Sequence, residues 1–165
     1  MLIFVEGPDG SGKTTLCKEL IKAKAADILI TVPRGAKNQN DFYNLIRHSS
    51  HNIVFDRCFI SDIAYRLWDN CKPDDMTLED MLFLLHHSDS CIIFCDTDTA
   101  FDDAQSRGES FITNRKNHDI ISNNYRTLQM MLRKFTKVPV MVYDRKCSDI
   151  SDVIKFIKKE ETDAV

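Results

Sequence analysis

The chain has 165 residues, 43% of them hydrophobic and 28% charged, with a formal net charge of −3. That length fits one domain over residues 1–165, and the composition is that of an ordinary globular protein. The negative balance argues against broad, sequence-blind nucleic-acid binding, which needs a basic surface, and no segment reaches the roughly 18 apolar residues of a membrane span.

The N-terminus lacks the basic start of a signal peptide and runs at once into a glycine loop, so the expected location is cytoplasmic. The cysteines fit that compartment. No pair has CxxC spacing. Cys91 and Cys95 lie in an apolar run that reads as a strand, where residues four apart sit roughly 13 Å from each other, too far for one disulfide or one zinc. Cys17, Cys58, Cys71, Cys91, Cys95 and Cys147 are read as small hydrophobes in a reducing setting.

Residues 2–5 form a continuous apolar run, as expected of a buried parallel strand. A glycine-rich turn follows over 7–12. Leu16, Leu20 and Ile21 then predict a helix over 14–24. A second strand is expected over 27–32, stopped by Pro33. Residues 40–47 read as a short helix, 52–56 as a third strand, 60–68 as a helix and 72–75 as a turn. Thr77 caps the next predicted helix, with Asp80 three residues on. A fourth strand over 91–95 leads to a helix over 99–106 that ends at Gly108. Residues 107–117 are charged and polar and read as a mobile loop. A long helix is expected over 118–135, with Ile121, Tyr125, Leu128 and Leu132 facing inward. A fifth strand over 138–143 and a closing helix over 150–157 follow, and the last residues are expected to fray. Strands alternating with helices imply right-handed crossovers. The expected architecture is α/β, with three layers and a five-stranded parallel sheet covered by helices on both faces.

Gly7-Pro8-Asp9-Gly10-Ser11-Gly12-Lys13-Thr14 matches GxxxxGK[ST] at every fixed position, and Thr15 follows. The spacing has a physical purpose. Its glycines let backbone N–H groups turn inward around phosphates. The helix behind presents its positive end to the anion. Lys13 can reach the β- and γ-phosphates as a point charge, and the Thr14 hydroxyl can bind Mg²⁺. Here the motif follows a buried strand and opens a helix, the context a P-loop requires. Farther on, Asp56 ends the third apolar strand, well placed to hold a Mg²⁺-bound water. Arg57 follows at once and could clamp an acceptor phosphate bidentately.

With these residues in place the sequence resembles the thymidylate kinase family of nucleoside monophosphate kinases, P-loop kinases with E-G-x-[DE]-G-x-G-K-[ST]-T after the first strand. Glu6 to Thr15 fits that pattern throughout. The family's D-R-[YH]-x-x-S-x-x-A-Y-[QR]-like stretch is matched at Asp56, Arg57, Ser61, Ala64 and Tyr65 without a gap. The resemblance implies a P-loop kinase fold, ATP as phosphoryl donor, Mg²⁺ as cofactor and a (deoxy)nucleoside monophosphate as acceptor. It implies that Asp9 meets the acceptor's sugar hydroxyl, that Arg57 clamps its phosphate, and that Ser61 and Tyr65 line its pocket. This P-loop has no basic residue beside Lys13, which resembles the members that use arginines of a lid. Arg107 and Arg115 are the lid candidates, with the lid at about 107–117. Related kinases are often dimers, so a homodimer is an open expectation.

The family's segment after the second strand is represented by Thr31-Val32-Pro33-Arg34-Gly35, where Arg34 is a candidate for the acceptor phosphate. The stretch between Arg34 and Asp56 is shorter than in the family, and Phe42 and Tyr43 are the aromatics available to sandwich a base. The base preference therefore stays open. His86 and His87 read as structural, because neighbouring helical positions point in different directions. Asp96 and Asp98 end the fourth strand, where they either help place the lid or cap the following helix. Tyr143-Asp144-Arg145-Lys146 lies where kinases of this fold pass the adenine of ATP. One alternative remains beside the monophosphate reading: a kinase for a hydroxyl acceptor, either a deoxynucleoside or a hydroxyl within a polynucleotide, with Asp9 or Asp56 recruited as base. Nucleic acid enters only as that alternative acceptor. A nucleotide-binding regulatory module is a third reading.

Overall fold

The computed structural model describes residues 1–32, 49–69, 89–108 and 112–163. Five strands, β1 (Leu2–Glu6), β2 (Ile28–Thr31), β3 (Ile53–Asp56), β4 (Ser90–Cys95) and β5 (Val140–Tyr143), pair in parallel in the order β2-β3-β1-β4-β5. The helices are α1 (Lys13–Lys22), α2 (Phe59–Asp69), α3 (Ala100–Ser106), α4 (Arg115–Phe135) and α5 (Ile150–Asp163). The expected parallel α/β fold is what forms.

Strands β1, β3 and β4 are buried along their whole length, as their unbroken apolar runs demand. Alternate residues serve opposite faces. Phe4, Phe55 and Phe59 join Tyr125 and Leu128 on the side of α2 and α4. Ile3, Val5 and Val54 join Leu16, Leu20, Val153 and Ile157 on the side of α1 and α5. Leu16 and Leu20 are almost wholly buried, and burial of such a side chain stabilises by about 1.5–3 kcal/mol. Cys17, Cys58, Cys91 and Cys95 are buried and in no disulfide, while Cys147 is exposed.

Element boundaries shift from the sequence expectation at several places, and three shifts bear on the site or the edges of the fold. Helix α4 begins at Arg115, inside the stretch read as a mobile loop over 107–117. The reason is Asn114, whose side chain accepts a hydrogen bond from the Lys116 N–H at 2.8 Å and so starts the helix early. Helix α5 runs on to Asp163 rather than stopping near Ile157. Strand β5 starts at Val140, because Pro139 can give no ladder N–H. The short helix expected over 40–47, the helix after Thr77, Cys71, His86 and His87 lie outside the described residues. Among the described residues no helix is long and apolar enough to cross a membrane.

Candidate active site

The connection from β1 runs toward β2 at one edge and that from its neighbour β3 runs toward β4 on the other side, so the two leave adjacent strands in opposite directions. A crevice opens at the carboxyl ends of the strands at such a point. The ends are aligned, with Val5 level with Asp56 and Glu6 level with Phe94. The P-loop fills the crevice mouth. Gly10 has φ +81°, and a Cβ there would lie 1.8 Å from the Ala100 carbonyl oxygen and 2.9 Å from the Ala104 nitrogen. Only glycine allows α3 to seat so closely on the loop. Gly12, at φ +94°, is the N-cap position of α1. The loop opens on a cleft of about 630 Å³.

The Lys13 ammonium is buried and donates to the Pro8 carbonyl at 2.6 Å. Burial, reinforced by the Arg57 charge, pushes it down to about 8 against the pull of Asp9 and Asp56. The same Pro8 oxygen accepts from the Ser11 hydroxyl at 2.8 Å and the Ser11 N–H at 3.3 Å.

On the floor of the cleft the Thr14 hydroxyl donates to Asp56 Oδ2 at 2.5 Å. A hydroxyl and a buried carboxylate side by side are hard oxygen donors, which suits Mg²⁺. Among the described residues no cluster of three or more His, Cys, Asp or Glu could hold a metal unaided.

Beside this pair lies a second. The Arg57 guanidinium pairs with the Asp9 carboxylate, with Arg57 carbon Cζ 5.8 Å from the centre of the Tyr65 ring. Burial pushes the Asp9 carboxyl up, but the Arg57 and Lys13 charges and hydrogen bonds from Arg57 and Tyr65 outweigh it and hold it below its ordinary value. Arg57 has φ +74°. A non-glycine residue in that region is strained, and such strain gathers at functional sites.

The predicted residues divide into groups. Asp9, Gly10, Gly12, Lys13, Thr14, Thr15, Asp56, Arg57 and Arg107 all line the cleft. Gly7 and Ser11 shape the loop from behind, Gly7 at φ +141° against the Cys95 carbonyl. Arg115 does not line the cleft: it pairs with Asp102 and lies 4.7 Å above the Phe101 ring. Its place in the first turn of α4 explains this, since a helix fixes the direction of its side chains. Ser61 turns inward, giving its hydroxyl to Glu6 at 2.5 Å and meeting the Tyr125 hydroxyl at 2.7 Å. Asp96 and Asp98 do not cap α3, whose N-cap position is Thr99; they pair with Arg126 and Lys146. Arg145 reaches the loop, its Cδ 3.3 Å from where a Gly12 Cβ would stand, and pairs with Asp103. Arg34, Phe42 and Tyr43 lie outside the described residues.

Sequence reasoning missed Lys18, which lines the cleft one turn beyond Thr14, and Glu6. Glu6 is fully buried and accepts from Cys58 N–H at 2.7 Å and Ser61 N–H at 3.3 Å. It thus caps the start of α2 from a neighbouring strand. Burial pushes its carboxyl up despite those hydrogen bonds and Arg57.

No family model matches the chain, and no curated protein matches it significantly. Solved structures do. YorR of Bacillus subtilis, determined in complex with phosphorylated GDP, superposes with a TM-score of 0.71 at 19% identity, covering 96% of this chain and 94% of its own. Deoxyadenosine kinase of M. mycoides, with the products dCMP and a flexible dCDP bound, gives 0.62 at 18% identity with both chains fully covered. Thymidylate kinase of Candida albicans gives 0.56 at 17% identity, covering 99% of this chain and 92% of its own. These likenesses establish the fold.

Proposed function

We propose that this chain, which has the fold of the P-loop nucleoside and nucleotide kinases, moves the γ-phosphoryl of ATP onto a (deoxy)nucleoside monophosphate to give the diphosphate, in the manner of thymidylate kinase. The observation that carries the reading is the Asp9–Arg57 pair in the cleft. A hydroxyl acceptor needs a carboxylate ready to take its proton. Asp9, held below its ordinary value, is a poor base. Asp56 already accepts the Thr14 hydroxyl on Oδ2 and stands beside the hydroxyl expected to meet Mg²⁺. An acceptor phosphate oxygen is already anionic near pH 7 and needs no base, so alignment and charge neutralisation suffice.

The charges of the cleft suit that task. Lys13, Lys18, Arg57 and Arg107 face it with Asp9 and Asp56 as the opposing carboxylates. Lys13 would leave Pro8 for the β- and γ-phosphates. Arg57 would turn from Asp9 to the acceptor phosphate, leaving Asp9 for a sugar hydroxyl, and Arg107 would close over the transferring group. Thr14 and Asp56 would hold Mg²⁺, Asp56 through a water. When bound there, Mg²⁺ would supply charge neutralisation for the transferring phosphoryl group. Buried cysteines that form no disulfide support a reducing, cytoplasmic setting.

The test is ADP release with ATP and Mg²⁺ against a panel of nucleoside monophosphates, with nucleosides and single-stranded DNA alongside. Turnover is expected with one or two monophosphates, and Arg57→Ala should raise the acceptor KM at least tenfold, the measure of a lost charge-assisted hydrogen bond of about 1.5–3 kcal/mol. Turnover with a nucleoside or polynucleotide alone would replace this reading by the hydroxyl-acceptor one.

A further inference from the structure

His118, in the first turn of α4, is buried to 4% exposure and takes no part in the chemistry proposed above. Its Nε2 lies 3.0 Å from the backbone carbonyl oxygen of Asp9. A carbonyl can only accept, so Nε2 carries a proton and donates it. On the far side of the ring Nδ1 faces the Ser122 hydroxyl at 3.4 Å, one turn along the helix. Phe101 packs edge-on against the imidazole at 5.4 Å between ring centres, and Arg115 covers Phe101 in turn. The ring is thus held on three sides, with one N–H aimed at the P-loop.

The target residue gives this contact its meaning. Asp9 is where the P-loop touches the acceptor side, through its pairing with Arg57. Gly10, next in the chain, is pressed against Ala100 and Ala104 of α3. The Asp9–Gly10 peptide is therefore clamped between α3 and α4. Those helices carry the connection containing Arg107, and Gln105 ties its ends by donating to the Ile112 carbonyl at 3.0 Å. Lys13 and Thr14, by contrast, ride on α1 and are held by Pro8 and Asp56.

We propose that His118 is a positioning residue for the acceptor site: its Nε2–H fixes the Asp9 backbone, and through it the point from which the Asp9 side chain meets the acceptor, against α3 and α4. The inference rests on the monophosphate-kinase reading for its kinetic consequence, while its structural core stands apart from it. An N–H donor at this position sets acceptor affinity without touching the donor nucleotide.

The experiment compares His118→Leu, which keeps bulk and loses the donor, with His118→Gln, whose amide can donate from nearly the same place. Ser122→Ala, which frees the other end of the ring, is the milder third variant. In His118→Leu the acceptor KM should rise about tenfold, the scale of one buried hydrogen bond, with the ATP KM within about twofold. His118→Gln should return the acceptor KM to within about threefold of the unaltered protein, and Ser122→Ala should shift it in the same direction as leucine by less. Amide hydrogen exchange of residues 9–11 in the ligand-free protein should quicken in the leucine variant and not in the glutamine one. The two KM values rising together, or glutamine behaving as leucine does, would overturn the proposal. Should the unaltered protein turn over no monophosphate, the functional reading falls, and the exchange measurement still decides the brace: unchanged exchange in His118→Leu removes it.

Discussion

Two buried carboxylates stand at the ends of adjacent strands, Glu6 on β1 and Asp56 on β3, and the fold uses them in opposite ways. The Glu6 oxygens are taken up by protein donors: two backbone N–H groups and the Ser61 hydroxyl. Asp56 lines the cleft and takes a hydroxyl from Thr14, a group that itself faces the cleft. Burial is common to both, so burial does not identify a functional acid. The direction in which the lone pairs point does.

Mutation should separate the two. The largest expected effect is on turnover: Asp56→Ala should lower kcat about 10²–10³-fold, the scale of losing a charge-stabilising group, with the thermal midpoint nearly unmoved. Glu6→Ala should do the reverse. It leaves the start of α2 uncapped inside the core, and breaking such a buried charged network costs about 3–5 kcal/mol, read by urea unfolding. Equal loss of stability in both variants would break the contrast.

Lys13 sharpens it through pH. With its ammonium pushed down to about 8 by burial, kcat/KM for ATP should fall above about pH 8, since that ratio reports the free protein. Lys13→Arg should move this limb upward. Between about 8 and its ordinary 10.5 the unfolded chain binds more protons than the folded one, so stability should rise with pH across that window, and Lys13→Met should lose that rise. The smallest effect concerns an exposed side-chain cap, at the start of α4. Asn114→Ala should destabilise by about 1 kcal/mol, well short of Glu6→Ala, because Asn114 is exposed and water can replace it.

The P-loop was legible in the sequence because each of its fixed positions answers a local need, whether a positive φ, a cation or a hydroxyl. Asp56 and Arg57 were legible because an apolar strand ended at an acid. Glu6 was not, for its partners Cys58 and Ser61 lie far along the chain and meet it only when β1 and β3 pair. The same pairing explains Ser61, whose place in a family-like stretch says nothing about which face of α2 it takes. His118 left a trace that passed unread. It opens the helix expected over 118–135 and sits three residues before Ile121, on the stripe that continues through Tyr125, Leu128 and Leu132, which places it inside. Arg115 reads as a lid residue because a charged, polar stretch surrounds it, whereas the Asn114 cap puts it in the first turn of α4.

The Pro8 carbonyl, with three donors gathered on it, has a thermodynamic consequence. In the free protein the loop is already cross-tied by the cation that a phosphate would recruit, so an arriving nucleotide meets an ordered ring rather than a slack one. Little conformational entropy is left to lose on binding. The gain in enthalpy is reduced in turn, because the Lys13–Pro8 bond must break before the ammonium can swing to a new oxygen. A lone inorganic phosphate offers few contacts to offset that exchange, whereas a triphosphate offers many along its length. The loop thereby discriminates by ligand length, and titration calorimetry should find the step from one phosphate group to three steeper than charge alone would give.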